Sequence, residues 1–187
     1  MTQIDQGYQS LIDCMTASEF AFTLRNDFEL IEPLTDLVQQ MLQGVGLCEP
    51  IESVRVGVAV EQAVLNAMFR GNLEISYEEM QRSKQRLLQG EDADIVAERT
   101  SQPPYDSRRV NVSVQIGKDS ARFVITDEGP GFDTSTVPQS GDSSALDREG
   151  GRGLVLMKTF MDEVVFNDVG NQVTMTKRAS EAPGSSS

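Results

Sequence analysis

The 187-residue sequence contains no histidine and no tryptophan, and only two cysteines. Without histidine, this chain cannot supply a Ser-His-Asp or Cys-His triad, a histidine ligand for zinc or a phosphorylated histidine. Any catalysis must use carboxylates, hydroxyls, amines, backbone amides or a hard metal ion. The cysteines, Cys14 and Cys48, do not make a disulfide framework, so we expect two small core residues in a reducing cytoplasm.

Basic residues are also scarce, since 16 Lys and Arg against 29 Asp and Glu give a net charge of −13. A surface this acidic repels phosphate backbones and anionic lipid, so we expect no nucleic-acid and no membrane partner. No stretch is long and apolar enough to span a bilayer, and the N-terminus lacks the basic and apolar regions of a signal peptide. These features predict a cytoplasmic globular protein, and the length suits a single domain.

Apolar periodicity predicts both strands and helices. Strand patterns lie near 20–24, 110–116, 121–126, 164–167 and 172–177. Helical patterns lie at 30–42 (ended by Gly44 and Gly46), at 52–70, in the charged segment 74–100, and in the run LVLMKTFMDEV at 154–164. This order predicts an α+β fold, a two-layer α/β sandwich in which helices cover one face of a mixed, mostly antiparallel sheet.

The same pattern sets the expected domain limits. We expect one domain at 18–178, after an N-terminal arm at 1–17 and before a disordered tail at 179–187. A helical insertion is expected at about 74–107. The polar stretch at about 132–150 has little to bury, as is typical of a disordered loop or a functional lid.

Three segments stand out from this pattern. DEGPGFD at 127–133 ends a strand on an acid and continues with glycines and a proline, Asn66 interrupts an apolar helix, and GGRG at 150–153 begins another helix. Taken singly, each has an ordinary explanation: a turn, a solvent-facing or locally bonded asparagine, and a glycine-rich turn before a helix.

Together and in this order, these segments resemble the motifs of the GHKL, or Bergerat-fold, ATPases and kinases (HATPase_c-like domains). The resemblance is closest to the anti-sigma-factor serine-protein kinases and covers about 20–177. VEQAVLNA at 60–67 is similar to the N box, DEGPGFD to the G1 box and GGRGLVLMKTFMDEV to the G2 box. NAMFRGNLEIS resembles a subgroup with HGNLE at that point, followed by an inserted helical segment.

The resemblance implies a site for ATP and Mg²⁺. Its implied nucleotide-binding positions are Asn66, Asp127, Gly129, Gly131, Gly151, Gly153, Leu154 and Asn171. Asp127 would accept a hydrogen bond from the adenine amine, and the glycines that follow it would make room for the base. Asn66 would also be the Mg²⁺ ligand.

The loop at about 132–150 would be the ATP lid. Its arginines, Arg148 or Arg152, would contact the γ-phosphate as catalytic residues. The phosphates would also meet backbone amides at the start of the following helix, where the helix dipole favours negative charge. The ordinary alternative for Arg152 is a solvated surface charge.

One catalytic position departs from the family pattern. The family carries a general-base glutamate four residues before the asparagine, and this chain has Gln62 there. Gln62 lies about 40° from Asn66 around a helix and Glu61 about 140°, so Glu61 does not take its place. Glutamine orients a nucleophile but does not accept its proton, and losing a general base slows a reaction by about 10²–10⁴. Smaller departures are Arg70, where the subgroup often has histidine, and Asn171, where many members have threonine.

The resemblance implies a protein kinase that transfers the γ-phosphoryl group of ATP to a serine of a STAS-type antagonist, or binds a sigma factor, in a partner switch. Homodimers are common among such kinases.

Gln62 keeps a second hypothesis open, a nucleotide-binding interaction module with weakened or no catalysis. A third, a histidine-kinase catalytic domain without its dimerisation helices, needs a phospho-acceptor in another chain. The insertion at 74–107 is either partner-facing or lid-supporting, or a solvated decoration.

Overall fold

The computed structural model describes residues 11, 14–90, 94–136 and 151–179, and its strands form one sheet. The strands are β1 (Ala17–Leu24), β2 (Val110–Gly117), β3 (Ser120–Thr126), β4 (Glu163–Phe166) and β5 (Gln172–Arg178). Their order is β1-β2-β3-β5-β4, and every described pairing is antiparallel. The α+β class is confirmed. The sheet is not mixed in these residues, because β5 enters between β3 and β4 and runs opposite to both.

The helices are α1 (Ile31–Val45), α2 (Pro50–Asn66), α3 (Tyr77–Leu88), α4 (Ile95–Thr100) and α5 (Gly151–Phe160). The expected end of α1 is partly wrong. Gly44 lies inside the helix, and Gly46 alone caps it, with a left-handed φ of 76°. The run LVLMKTFMDEV is helical only to Phe160, because Val164 and its neighbours pair with β5 instead.

The core lies against one face of the sheet. Val112, Val114 and Ile116 of β2 are at most 2% exposed, while the side chains between them face away. Strand residues of this face share one apolar cluster with residues of α1, α2 and Met157 of α5. Cys48 belongs to this cluster, as predicted, but Cys14 is exposed, so the expectation of a core residue is wrong there.

The end of α2 differs from a regular helix. The pattern at 52–70 predicts one continuous helix, but Ala67–Asn72 forms a wider π-helical turn. Such turns are frequent at functional sites, since they change the direction in which side chains and backbone point. Here the turn brings Gly71 and Asn72 against the end of β3.

The segment predicted to be an insertion contains α3 and α4. Ser76 and Glu79 form a capping box at the start of α3, and Asp94 caps α4. Large apolar side chains such as Leu88 are exposed on α3. Among the described helices, none combines the length and the apolar character that a bilayer crossing requires.

Candidate functional site

A cavity of about 440 Å³ opens between α2, the start of α5, the end of β3 and the start of β5. Small-molecule sites have volumes of roughly 300–1,000 Å³, so this cavity is large enough for one. Its wall is formed by Ala63, Asn66, Ala67, Arg70, Gly71, Ile125, Asp127, Gly131, Phe132, Gly151, Leu154, Met157, Phe166, Gly170, Asn171, Gln172 and Val173. The wall is mainly apolar, and Arg70 and Asp127 are its charged residues.

Asp127 is the carboxylate of the cavity wall and directly follows β3. It is 9% exposed, and one carboxylate oxygen accepts a hydrogen bond from the Gly129 N–H at 2.9 Å. Its backbone is tied to Asn171: the Asp127 N–H donates to the Asn171 carbonyl at 2.9 Å, and the Asn171 side chain donates back at 3.3 Å. The fixed carboxylate keeps free lone pairs for a ligand that donates hydrogen bonds.

Burial controls the ionisation of this carboxylate. Loss of solvent raises the pKa of Asp127 from 3.8 to about 6, although the Gly129 N–H and the charge of Arg108 act in the opposite direction. Asp127 is therefore mostly ionised at pH 7, and it is an acceptor for a neutral amine.

Glycines bring separate backbone segments together around Asp127. A Cβ atom on Gly129 would lie 2.2 Å from the Gly71 carbonyl oxygen. The turn formed by DEGPGFD, here called the G1 turn, is therefore in backbone contact with the π turn. Gly131 has a φ of 77°, and a Cβ there would lie 2.0 Å from the Val169 carbonyl oxygen. These contacts explain the glycines of DEGPGFD: larger residues would separate the segments that form the cavity.

The opposite end of the cavity is formed by α2 and the first turn of α5. A Cβ on Gly153 would lie 3.0 Å from Gln62 Oε1 and 3.6 Å from Asn66 Nδ2. Two amide side chains, one helical turn apart, therefore face the glycine-rich start of α5. No acidic side chain of α2 is part of the cavity wall, and no metal-binding group of three or more His, Cys, Asp and Glu occurs among the described residues.

The structure brings most of the predicted site residues together. The cavity wall includes Asn66, Asp127, Gly131, Gly151, Leu154 and Asn171. Gly129 and Gly153 are not wall residues but lie against residues that are, and Gln62 lies beside Gly153. Arg152 is exposed in the first turn of α5. Arg148 and most of the predicted lid, at 137–150, lie outside the described residues.

Sequence reasoning missed several residues of the wall. In the sequence, Arg70 stands out only for replacing histidine, and Gly71 simply follows the helical pattern at 52–70. Phe132 and Phe166 contact each other edge to face at 5.3 Å and close one side of the cavity. The phenylalanine of DEGPGFD was a signal for the first of these, whereas Phe166 lies in a different strand and only the fold brings it there.

Comparison with known proteins agrees with this arrangement. A family model described as a histidine kinase-like ATPase domain matches residues 24–177. Three proteins named serine-protein kinase RsbW, from Staphylococcus aureus strains JH9, Newman and JH1, are each 38% identical to this chain over 76 residues. These alignments cover 36% of this chain and 47% of each relative. The chain thus spans about half the length of the curated relatives it matches.

The family match extends over the whole region that carries the site. Its range includes the π turn, the insertion, the G1 turn at Asp127 and the start of α5. The resemblance to GHKL proteins is confirmed by this match and by the fold. The chain belongs to the family of histidine kinase-like ATPase domains.

Proposed function

We propose that the cavity binds ATP, with the adenine ring at Asp127 and the phosphates at the start of α5. The observation that supports this most is the convergence of Asn66, Asp127 and Gly151, distant in sequence, in the wall of one cavity. The apolar wall suits a flat base, and the buried carboxylate suits its amino group. The start of α5 offers backbone N–H groups to phosphate oxygens.

The residues also fit a magnesium ion carried with the nucleotide. Asn66 offers one amide oxygen, and phosphate oxygens and waters commonly complete the octahedron of Mg²⁺. A site of that kind needs no acidic cluster, which agrees with the described part of the cavity. When bound, Mg²⁺ neutralises the charge of the phosphates.

For activity, we propose a serine-protein kinase-like regulator that transfers the γ-phosphoryl group of ATP to a serine of a STAS-type antagonist. Family membership and the similarity to proteins named serine-protein kinase support it. The serine hydroxyl would attack the γ-phosphorus, ADP would leave, and the hydroxyl proton would need an acceptor. Binding a sigma factor, dimerising and acting in the cytoplasm belong to the same proposal.

Gln62 favours a second candidate, a nucleotide-dependent interaction module with weakened or no phosphoryl transfer. Its amide lies beside Gly153 at the start of α5, at the position where the family pattern has the proton acceptor. An amide positions a hydroxyl by hydrogen bonding but does not remove its proton. Binding and release of partners would then depend on nucleotide occupancy alone.

Two measurements test these proposals. Calorimetry with ATP and Mg²⁺ tests binding, and Asp127→Ala is expected to abolish it. Undiminished ATP binding by that variant would overturn the adenine assignment. Transfer is tested with labelled ATP and serine-bearing STAS-type antagonists, with the serine changed to alanine as a control.

Comparison of Gln62→Glu with the natural chain separates the two candidates. A gain of about 10²-fold or more in transfer would show that the natural site lacks a general base. If the natural chain transfers the phosphoryl group and Gln62→Glu does not increase the rate, the result would support the kinase and oppose the interaction module. Gln62→Ala shows whether the amide itself contributes.

A further inference from the structure

The side chain of Asn72 lies at the end of the π turn and is fully buried. Its Nδ2 donates to Asn26 Oδ1 at 2.8 Å, and its Oδ1 accepts from the Glu128 N–H at 2.8 Å. Glu128 directly follows Asp127, so this amide holds one end of the peptide that carries the carboxylate. Asn171 holds the other end.

The residue directly after the insertion contacts the backbone of Asn72. Arg108, which follows the insertion, donates to the Asn72 carbonyl at 2.8 Å and forms an ion pair with Glu74 at 2.6 Å. Asn26 also contacts this segment, because its Nδ2 donates to the carbonyls of Tyr105 and Arg108 at 3.2 and 3.4 Å. The hydrogen bonds of Asn72 with Asn26 and with Arg108 therefore both depend on the position of residues 105–108.

A stack of side chains sets the position of Arg108. The guanidinium groups of Arg99 and Arg108 lie 4.9 and 5.3 Å from the centre of the Tyr105 ring. Arg99, on α4, also donates to the Leu73 carbonyl at 2.8 Å and pairs with Glu79 of α3 at 3.0 Å. The two insertion helices and the chain directly after Asn72 therefore share one cluster of contacts.

We propose that Asn72 is a positioning residue that couples the helical insertion, through Arg108, to the placement of the Asp127 carboxylate. Displacement of Arg108 releases the Asn72 carbonyl, Asn72 moves, and the Glu128 N–H loses its acceptor. A partner that binds α3 or α4 would then change nucleotide affinity without touching the nucleotide. The coupling to affinity rests on the proposed ATP binding, whereas the coupling to Glu128 does not.

The experiment uses the full chain and two matched variants. Arg108→Gln removes the cation and its fixed hydrogen bonds. Arg82→Gln makes the same chemical change at an exposed residue of α3. Hydrogen exchange of the Glu128 and Gly129 amides is measured by NMR without nucleotide, and ATP with Mg²⁺ is titrated by calorimetry.

We expect Arg108→Gln to accelerate exchange of the Glu128 amide at least about tenfold and to weaken ATP binding about tenfold, within the usual range of coupling. Arg82→Gln should change neither. Unchanged Glu128 exchange in a folded Arg108→Gln variant would overturn the positioning role. Accelerated exchange in a chain that binds no ATP would instead overturn the proposed function and leave the positioning role intact.

Two further variants distinguish the positioning role from a general destabilisation of the fold. Arg108→Lys keeps the charge and N–H donors on a single nitrogen, so it should recover part of the protection of Glu128. Tyr105→Leu loosens the arginine stack without removing either cation, and it should accelerate Glu128 exchange more than exchange in β2. Equal acceleration throughout the sheet would indicate general destabilisation and contradict the proposal.

Discussion

Gly71 lies against the side chain of Asp127, so that a Cβ atom at residue 71 would be 2.3 Å from the carboxyl carbon. The residue after Arg70 must therefore be glycine if the carboxylate is to keep its place. The constraint links the end of α2 to the end of β3, two segments that lie far apart in the sequence. The same contact helps to bury Asp127, and burial sets its pKa.

Gly71→Ala is expected to weaken ATP binding at least about tenfold, or about 1.4 kcal/mol. The added methyl group displaces the carboxylate from the position in which it would meet the adenine amine in the proposed complex. Calorimetry with ATP and Mg²⁺ measures the effect. Gly117→Ala is the matched control, since a Cβ there would lie 3.7 Å from the Ser120 carbonyl oxygen, at ordinary contact distance. Equal affinities of the two variants would contradict this prediction.

Nucleotide affinity should depend on pH through Asp127. Its pKa is raised to about 6 by burial, so lowering the pH through 6 protonates the carboxylate, and the acceptor proposed for the adenine amine is lost. ATP affinity should therefore fall as the pH falls below about 6 and reach a plateau above about 7. The ¹³C shift of the Asp127 carboxyl carbon in the free chain reports the titration directly. A titration midpoint near 3.8, the ordinary pKa of an aspartate side chain, would contradict this prediction.

The same burial should reduce stability at neutral pH. A carboxyl with a folded pKa above its unfolded value binds more protons in the folded state, so the free energy of unfolding falls as pH rises from about 4 to 6. Asp127→Asn keeps an oxygen for the Gly129 N–H and carries no charge. We expect it to increase the free energy of unfolding at pH 7.5 by about 1 kcal/mol, after allowance for solvent screening.

Urea denaturation of the nucleotide-free protein checks this expectation. The advantage of Asp127→Asn should be smaller at pH 5 than at pH 7.5, because the natural carboxyl is then largely protonated. The variant should also lose ATP affinity, so the more stable protein is the less functional one. A stability gain independent of pH would show that charge burial is not its cause.

Most of the fold follows from local sequence patterns, and the exceptions depend on distant contacts. Alternation in β2 and the helical period of α1 predict those elements well. The sequence pattern places the end of α5 too late. The apolar run continues to Val164, but this residue pairs with Met175 in β5. A local pattern does not show that a distant strand is available for pairing.

The residues of the site also differ in how far the sequence alone predicts them. Asp127 and Asn66 are recognisable because the segments that carry them, each ordinary by itself, together resemble the motifs of the family. Gly71, Arg70 and Phe166 have no such signal, since each joins the cavity only through the π turn or the sheet order. Sequence thus predicted the groups expected to meet the ligand more readily than the residues that shape the space around them.

At the proposed phosphate end of the cavity, Gln62 and Gly153 should act on nucleotide binding as one unit. Gly153→Ala keeps the backbone N–H, so its effect comes from the added methyl group, whose carbon would lie 3.0 Å from Gln62 Oε1. The methyl group pushes the amide aside, and because that side chain is flexible, the loss of ATP affinity should be only a few-fold, smaller than for Gly71→Ala. In a Gln62→Ala background there is room for the methyl group, and the loss should largely disappear.

A double-mutant cycle measured by calorimetry checks this relationship. We expect an interaction energy of about 0.5 kcal/mol or more between the two substitutions, as is usual for side chains in contact. Strictly additive effects would mean that Gln62 points elsewhere when the nucleotide is bound. In that case Gln62→Glu would not place a carboxylate near the γ-phosphate, and its failure to accelerate transfer would carry no information about the missing base. The cycle should therefore be measured before the transfer experiment is interpreted.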